Sequence, residues 1–201
     1  MRATRAAIMA GGRSRRMGRP KAPLTLAGRP LIGYPIAAAR KAGLEPLVFA
    51  KPGSELPPLD CEVLEEPAEP IHPLTGIVAA LGHAGAPVVV LACDMPLVPA
   101  ALIAELAGRD ADLVLPADPR PQPLAARYGP ALIEPLRAGL AAGGPLTRIV
   151  TELGPEVITT GELRRFGDPA VMFSNVNDPG DLARIEATLR GQSSTSSTRA
   201  L

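Results

Sequence analysis

Aromatic side chains are scarce in this sequence: two tyrosines, three phenylalanines and no tryptophan among 201 residues. A platform that stacks successive bases would have almost nothing to build with, which argues against a nucleic-acid binder of that kind. Cysteine is scarcer still. Cys61 and Cys93 form no Cys-x-x-Cys pair and meet no matching histidine spacing. Neither a zinc site nor a disulfide framework is expected, and reduced thiols in a cytoplasm fit best. Long apolar runs are missing too. The run behind the basic start covers only residues 6–10, and residues 77–93 are broken by Gly82, His83, Gly85 and Pro87. Neither a signal peptide nor a membrane span is expected. Finally, no sign of charge dominates. With 21 basic and 20 acidic residues the net charge is +1, which excludes a polybasic nucleic-acid coat and an acidic solvating chain.

What is present is a large apolar fraction, 46%, enough for the core of one domain over residues 1–190. Residues 191–201, rich in Ser and Thr with no apolar periodicity, are expected to be a disordered tail. The charges are also separated along the chain. Residues 1–51 carry +10 and the remainder −9. Such a field points to an anion held near the N-terminus, although a solvated set of surface arginines is the plain alternative.

Short apolar runs alternate with longer stretches of helical spacing. Strands are expected at residues 6–10, 47–50, 62–64, 88–92, 113–115, 124–128 and 157–160. Helices are expected at 31–42, 74–84, 99–106, 132–142 and 181–189. Residues 88–92 are apolar at every position, as a parallel strand covered on both faces requires. The alternation predicts a three-layer α/β/α domain of Rossmann-like type with a mainly parallel central sheet. Ligands of such sheets bind at the carboxyl ends of the strands, where the strand order reverses.

Three segments fall at such ends. The first runs from Met9 and Ala10 through Gly11, Gly12, Arg13, Arg15, Arg16 and Arg19 to Lys21. Paired glycines after a strand let backbone N–H groups approach an anion. The cations behind them suit a triphosphate, with Arg16 and Lys21 neutralising its charge. It is neither a P-loop, since Ala22 follows Lys21, nor a G-x-G-x-x-G fingerprint. The second is Cys93-Asp94-Met95-Pro96. A single carboxylate there is enough for a Mg²⁺ ion that takes its other ligands from substrate phosphates. On this motif alone the plainer reading is that Asp94 caps a following helix, which Pro96 and Pro99 would start. In the third, Asn175 and Asn177 alternate along an extended stretch and so face one way, while Asp178-Pro179 reads as a helix start. Glu66, ending a short strand, is placed to face a nucleotide, and Gln122 precedes another strand. His72 and His83 lack metal-ligand spacing and read as turn or helix residues.

Taken in order, these pieces resemble the molybdenum cofactor guanylyltransferases, within the Rossmann-like nucleotidyltransferases. The matching residues are Met9-Ala10-Gly11-Gly12 with Arg16-Met17-Gly18 and Lys21, then Gly28-Arg29-Pro30-Leu31 and Pro73-Leu74-Thr75-Gly76. Cys93-Asp94-Met95-Pro96, Gln122-Pro123-Leu124-Ala125 and Asn175-Val176-Asn177-Asp178-Pro179 complete the set. The resemblance implies GTP at Met9, Ala10, Gly11, Gly12, Lys21, Glu66 and Asp94, and Mg²⁺ at Asp94. It implies molybdopterin at Gln122, Asn175 and Asn177, with Arg16, Lys21 and Asp94 in the catalytic roles. The expected reaction is GMP transfer to the terminal phosphate of molybdopterin with loss of pyrophosphate. Passing contact with the proteins that supply molybdopterin and receive the product is implied as well, without nucleic acid or membrane. Cytidylyltransferases of the same acceptor carry Ala-Ala-Gly where Ala10-Gly11-Gly12 stands here, which favours GTP. A nucleotidyltransferase with another phosphorylated acceptor and a non-catalytic nucleotide-binding protein remain the alternatives.

Overall fold

The structure, a computed structural model, describes residues 1–11 and 18–197, with side chains described as far as residue 191. The chain begins with β1 (Arg5–Met9), a two-stranded hairpin of β2 (Thr25–Leu26) and β3 (Arg29–Pro30), and α1 (Gly33–Lys41). Strands β4 (Glu45–Ala50) and β5 (Glu62–Glu65) lead to α2 (Pro73–Ala84), β6 (Val88–Ala92) and α3 (Ala100–Gly108). Next come β7 (Leu113–Asp118), β8 (Arg120–Pro121), β9 (Ala125–Tyr128), α4 (Ile133–Ala142) and α5 (Leu146–Glu152). The last elements are β10 (Glu156–Ile158), α6 (Thr160–Leu163), α7 (Pro169–Met172) and α8 (Pro179–Ser197).

The central sheet has the order β10-β7-β9-β6-β1-β4-β5, with β8 attached to β7. All pairings along it are parallel except those of β9, which runs against both β6 and β7. The expected α/β/α sandwich with a mainly parallel sheet is therefore what forms. Alternation along each strand divides the core in two. Ala6, Ile8, Val48, Val89 and Leu91 pack with Ile32, Ile36, Leu102 and Ile103 of the α1/α3 layer. Ala7, Leu47, Phe49, Val88 and Val90 pack with Leu74, Ile77, Leu136 and Ile149 of the α2/α4/α5 layer. Every residue of β6 is buried, and each side chain of this size contributes about 1.5–3 kcal/mol when removed from water. The central strands β1 and β6 are thus the most firmly held elements, and they hold the loops at their carboxyl ends in place.

From β1 the chain crosses by way of α1 to β4 on one side, and from β5 it returns through α2 to β6 on the other. The strand order reverses between β1 and β6. Two expectations need correction. The strand expected at 157–160 stops at Ile158, because Thr159 and Glu162 form a capping box that starts α6. The helix expected at 181–189 runs from Pro179 through Ser197 as α8. Beyond Pro179 no proline interrupts it, and Gly191 costs only about 1 kcal/mol in a helix already nucleated. Residues 198–201 lie outside the described part.

Candidate active site

The carboxyl ends of β1 and β6 open into a cavity of about 880 Å³. Met9, Ala10 and Gly11 line it from β1, and Ala92, Cys93 and Asp94 from β6. Backbone hydrogen bonds fix both exits: Ala10 N–H donates to the Phe49 carbonyl at 2.8 Å and Cys93 N–H to the Met9 carbonyl at 3.1 Å. The floor of the cavity is therefore an extension of the sheet.

At its centre three distant parts of the chain meet. Lys21 Nζ donates to Asp94 Oδ2 at 2.7 Å and to Asn177 Oδ1 at 2.9 Å. The loop carrying Asn177 is tied down by a bond from Val176 N–H to the Asp94 carbonyl at 2.9 Å. So Asp94 anchors one neighbour by its main chain and another by its side chain. The helix-cap alternative for Asp94 does not hold: α3 begins at Ala100, with Pro99 in the cap position and no side-chain cap.

Asn177 is held from behind. Its N–H and that of Asp178 donate to Asp181 Oδ2, while Asp181 N–H donates to Asp178 Oδ1 at 2.9 Å. This reciprocal pair starts α8, so the helix start and the exposed amide are parts of one device. The Asn177 N–H, first, and then Arg184 and the Asp178 N–H hold the Asp181 carboxyl below its ordinary 3.8. A depressed carboxylate stabilises the fold fully above that ordinary value and loses the contribution as pH falls through the lowered one. The Tm difference between wild type and Asp181→Asn is accordingly expected to be largest near neutral pH and to vanish in acid below 3.8. A difference that is constant with pH would mean that Asp181 acts by packing.

The opposite wall is built around Glu66, which is buried although Glu65 beside it is exposed. Its carboxylate sits between Gly11 and Gly76, where a Cβ on either glycine would overlap an oxygen. Burial pushes the Glu66 carboxyl above the usual carboxylate range, and Lys51, with Nζ at 3.6 Å, pulls it part of the way back.

A family model described as the MobA-like NTP transferase domain matches residues 6–157. A molybdenum cofactor guanylyltransferase of Cereibacter sphaeroides is 36% identical over 198 residues, covering 91% of this chain and 95% of the relative. One from Shewanella amazonensis is 30% identical over 193 residues, covering 92% and 96%. The crystal structure of molybdopterin-guanine dinucleotide biosynthesis protein A from Archaeoglobus fulgidus superposes with a TM-score of 0.77. It is 24% identical and covers 93% of this chain and 99% of that one. The chain belongs to the MobA-like NTP transferase family. It is a nucleotidyltransferase.

Among the described residues, the Cys93 thiol bordering the cavity is not a ready nucleophile for nucleotidyl transfer. Burial pushes the Cys93 thiol up to about 12, with the neighbouring Asp94 adding to the effect, so it stays protonated. Among the described residues no three His, Cys, Asp or Glu side chains cluster as an all-protein metal cage. One carboxylate facing a cavity that can admit phosphates does fit a magnesium ion that arrives with its nucleotide, since Mg²⁺ keeps few protein ligands. No described helix is long and apolar enough to cross a membrane.

Of the residues expected in the site, Met9, Ala10, Gly11, Lys21, Glu66, Asp94 and Asn177 line the cavity together. Gly12 and Arg16 lie outside the described residues. Asn175 does not share the orientation of Asn177, because its amide donates to the Phe173 carbonyl at 3.2 Å, within its own loop. Gln122 donates to the Arg120 carbonyl at 3.3 Å, and neither it nor Asn175 lines the cavity. His72 accepts from Leu74 N–H as the N-cap of α2, in keeping with a helix role, yet it also borders the cavity with Pro73. Sequence reasoning does not single out Lys51 as a site residue. Its signal is the same as that of Asp94, a charged residue just after a buried strand.

Proposed function

We propose that this protein transfers GMP from GTP to the terminal phosphate of molybdopterin, with Lys21, Asp94 and Asn177 at the point of reaction. In the transfer, an oxygen of the acceptor phosphate forms a bond to the α-phosphorus while the bond from that phosphorus to the bridging oxygen breaks. Pyrophosphate leaves with the electron pair. The attacking phosphate is already ionised near neutral pH, so no protein base has to take a proton from it. The obstacle is the repulsion between two anions, and catalysis rests on positioning and charge.

The observation that carries this reading is the meeting of one ammonium, one carboxylate and one amide at the strand-order reversal. Lys21 supplies positive charge for phosphate, and Asn177 holds the ammonium toward the cavity. Asp94 would hold Mg²⁺, which supplies charge neutralisation and alignment of the phosphates when bound. Arg16 adds a further cation from the glycine loop, and Gly11, without a Cβ, makes room for the Glu66 carboxylate. Across the cavity Glu66 offers carboxylate oxygens as acceptors, which match the N1–H and 2-amino donors of guanine. Asn175 and Gln122, on the loops beside the cavity, are assigned to the pterin acceptor.

A ligand that binds only the native state raises its stability. GTP with magnesium is expected to raise Tm clearly, and CTP and ATP at the same concentration much less. An equal or larger shift with CTP would overturn the guanine assignment.

A further inference from the structure

Lys51 follows β4 and Glu66 follows β5, and parallel pairing sets Ala50 beside Glu65 in register. Both side chains therefore leave the sheet at the same edge. The Glu66 main chain is fixed by a bond from its N–H to the Ala50 carbonyl at 2.9 Å. The ammonium of Lys51 has three acceptors around it: the Pro67 carbonyl, the Pro70 carbonyl at 3.4 Å and Glu66 Oε1 at 3.6 Å. An ammonium has three N–H groups. Two of them reach the proline carbonyls and the carboxylate lies at ion-pair distance, so Lys51 is turned toward the protein although it borders the cavity. The Pro70 carbonyl also accepts from Thr75 Oγ1 at 2.9 Å. Lys51 thus joins the end of β4, the loop after β5 and the first turn of α2 around one carboxylate.

We propose that Lys51 is a positioning residue that sets the guanine selectivity of this site, by holding the Glu66 carboxylate in one orientation. This rests on the reading of the cavity as a guanine nucleotide site. The glycines fix where the carboxylate lies, because Gly11 and Gly76 pack against its two oxygens. They bring no charge. Among the described residues Lys51 is the cation paired with this carboxylate, and it draws on Oε1, leaving the remaining lone pairs for the donors of a base. Protonation of Glu66 would turn an acceptor into a donor facing the N1–H and 2-amino group. The consequence is a loss of discrimination rather than a general loss of nucleotide binding, since the phosphates are held on the far side by Lys21.

Inosine triphosphate lacks only the 2-amino group and is the probe. Dissociation constants for GTP and ITP, with magnesium, are to be measured on wild type, Glu66→Gln, Lys51→Met and Lys51→Arg, with Tm recorded for each. Wild type is expected to prefer GTP by about tenfold or more, the range of one hydrogen bond to a charged group. Glu66→Gln should bring the preference to near unity. Lys51→Met should lower it to roughly threefold or less while ITP binding changes little, and Lys51→Arg should restore it. If Lys51→Met does not fold, Lys51→Gln, which can still donate to the Pro67 carbonyl, makes the same comparison. A wild-type preference in Lys51→Met alongside its loss in Glu66→Gln overturns the role of Lys51 alone. A preference that survives Glu66→Gln overturns both that role and the guanine-facing reading of Glu66.

Discussion

Replacing Asp94 by asparagine is expected to lower turnover with GTP roughly a thousandfold and to leave the fold intact. Two independent facts lead there. Asp94 is not a helix cap, because α3 starts at Ala100 with Pro99 before it, so the substitution removes no cap. The amide also keeps an oxygen that can still accept from Lys21, which Asn177 continues to hold. The change in Tm should stay within about 3 °C, as for a partly exposed ion pair in a chain of this length. A neutral amide is nevertheless a poor ligand for a hard dication. Pyrophosphate release across a magnesium titration, with melts on the same samples, separates the two effects. Near-normal turnover in Asp94→Asn would remove the metal assignment. A large fall in Tm would mean that the carboxylate serves the fold.

The second large effect is expected at Lys21. Lys21→Ala should weaken GTP about a hundredfold and guanosine by no more than about threefold, because the lost contacts are charge-assisted bonds to phosphate. There is a further penalty. In the wild type Lys21 neutralises Asp94 at 2.7 Å, and without it an uncompensated carboxylate faces the incoming triphosphate. Excess magnesium should therefore recover part of the lost affinity, and the recovery should be absent in the double variant Lys21→Ala/Asp94→Asn. Equal weakening of GTP and guanosine would show that Lys21 serves the base or the fold instead.

Much of this site was legible because the strongest strands are the ones that carry it. Residues 88–92 are apolar throughout, which places β6 in the centre of the sheet and Asp94 at its open end. The hairpin β2–β3 was not legible. Each of its strands has two residues, too few for any period. Its turn uses Ala27 and Gly28, both at positive φ, where asparagine would ordinarily give the signal. The direction of β9 was hidden for a different reason. Its buried residues read as a strand in either direction, and the reversal comes from the short pairing of β8 with β7 that precedes it. Helix α5 follows Gly143 and Gly144 so closely that its seven residues carry little period of their own. At the site, alternation along an extended stretch predicted that Asn175 and Asn177 face alike. The local bond from Asn175 to the Phe173 carbonyl breaks that symmetry. Glu66 illustrates the converse. Adjacent acids are usually solvated, and only the parallel register with β4 puts Glu65 outside and Glu66 into the cavity wall.

GTP labelled at its α-phosphate, incubated with molybdopterin, magnesium and the wild-type protein, tests the transfer itself. The label is expected to pass into a guanine dinucleotide with one pyrophosphate released for each, and to stay in GTP when Asp94→Asn replaces the wild type. Label that remains in GTP with wild type, or that emerges only as free GMP, would contradict nucleotidyl transfer to molybdopterin at this cavity.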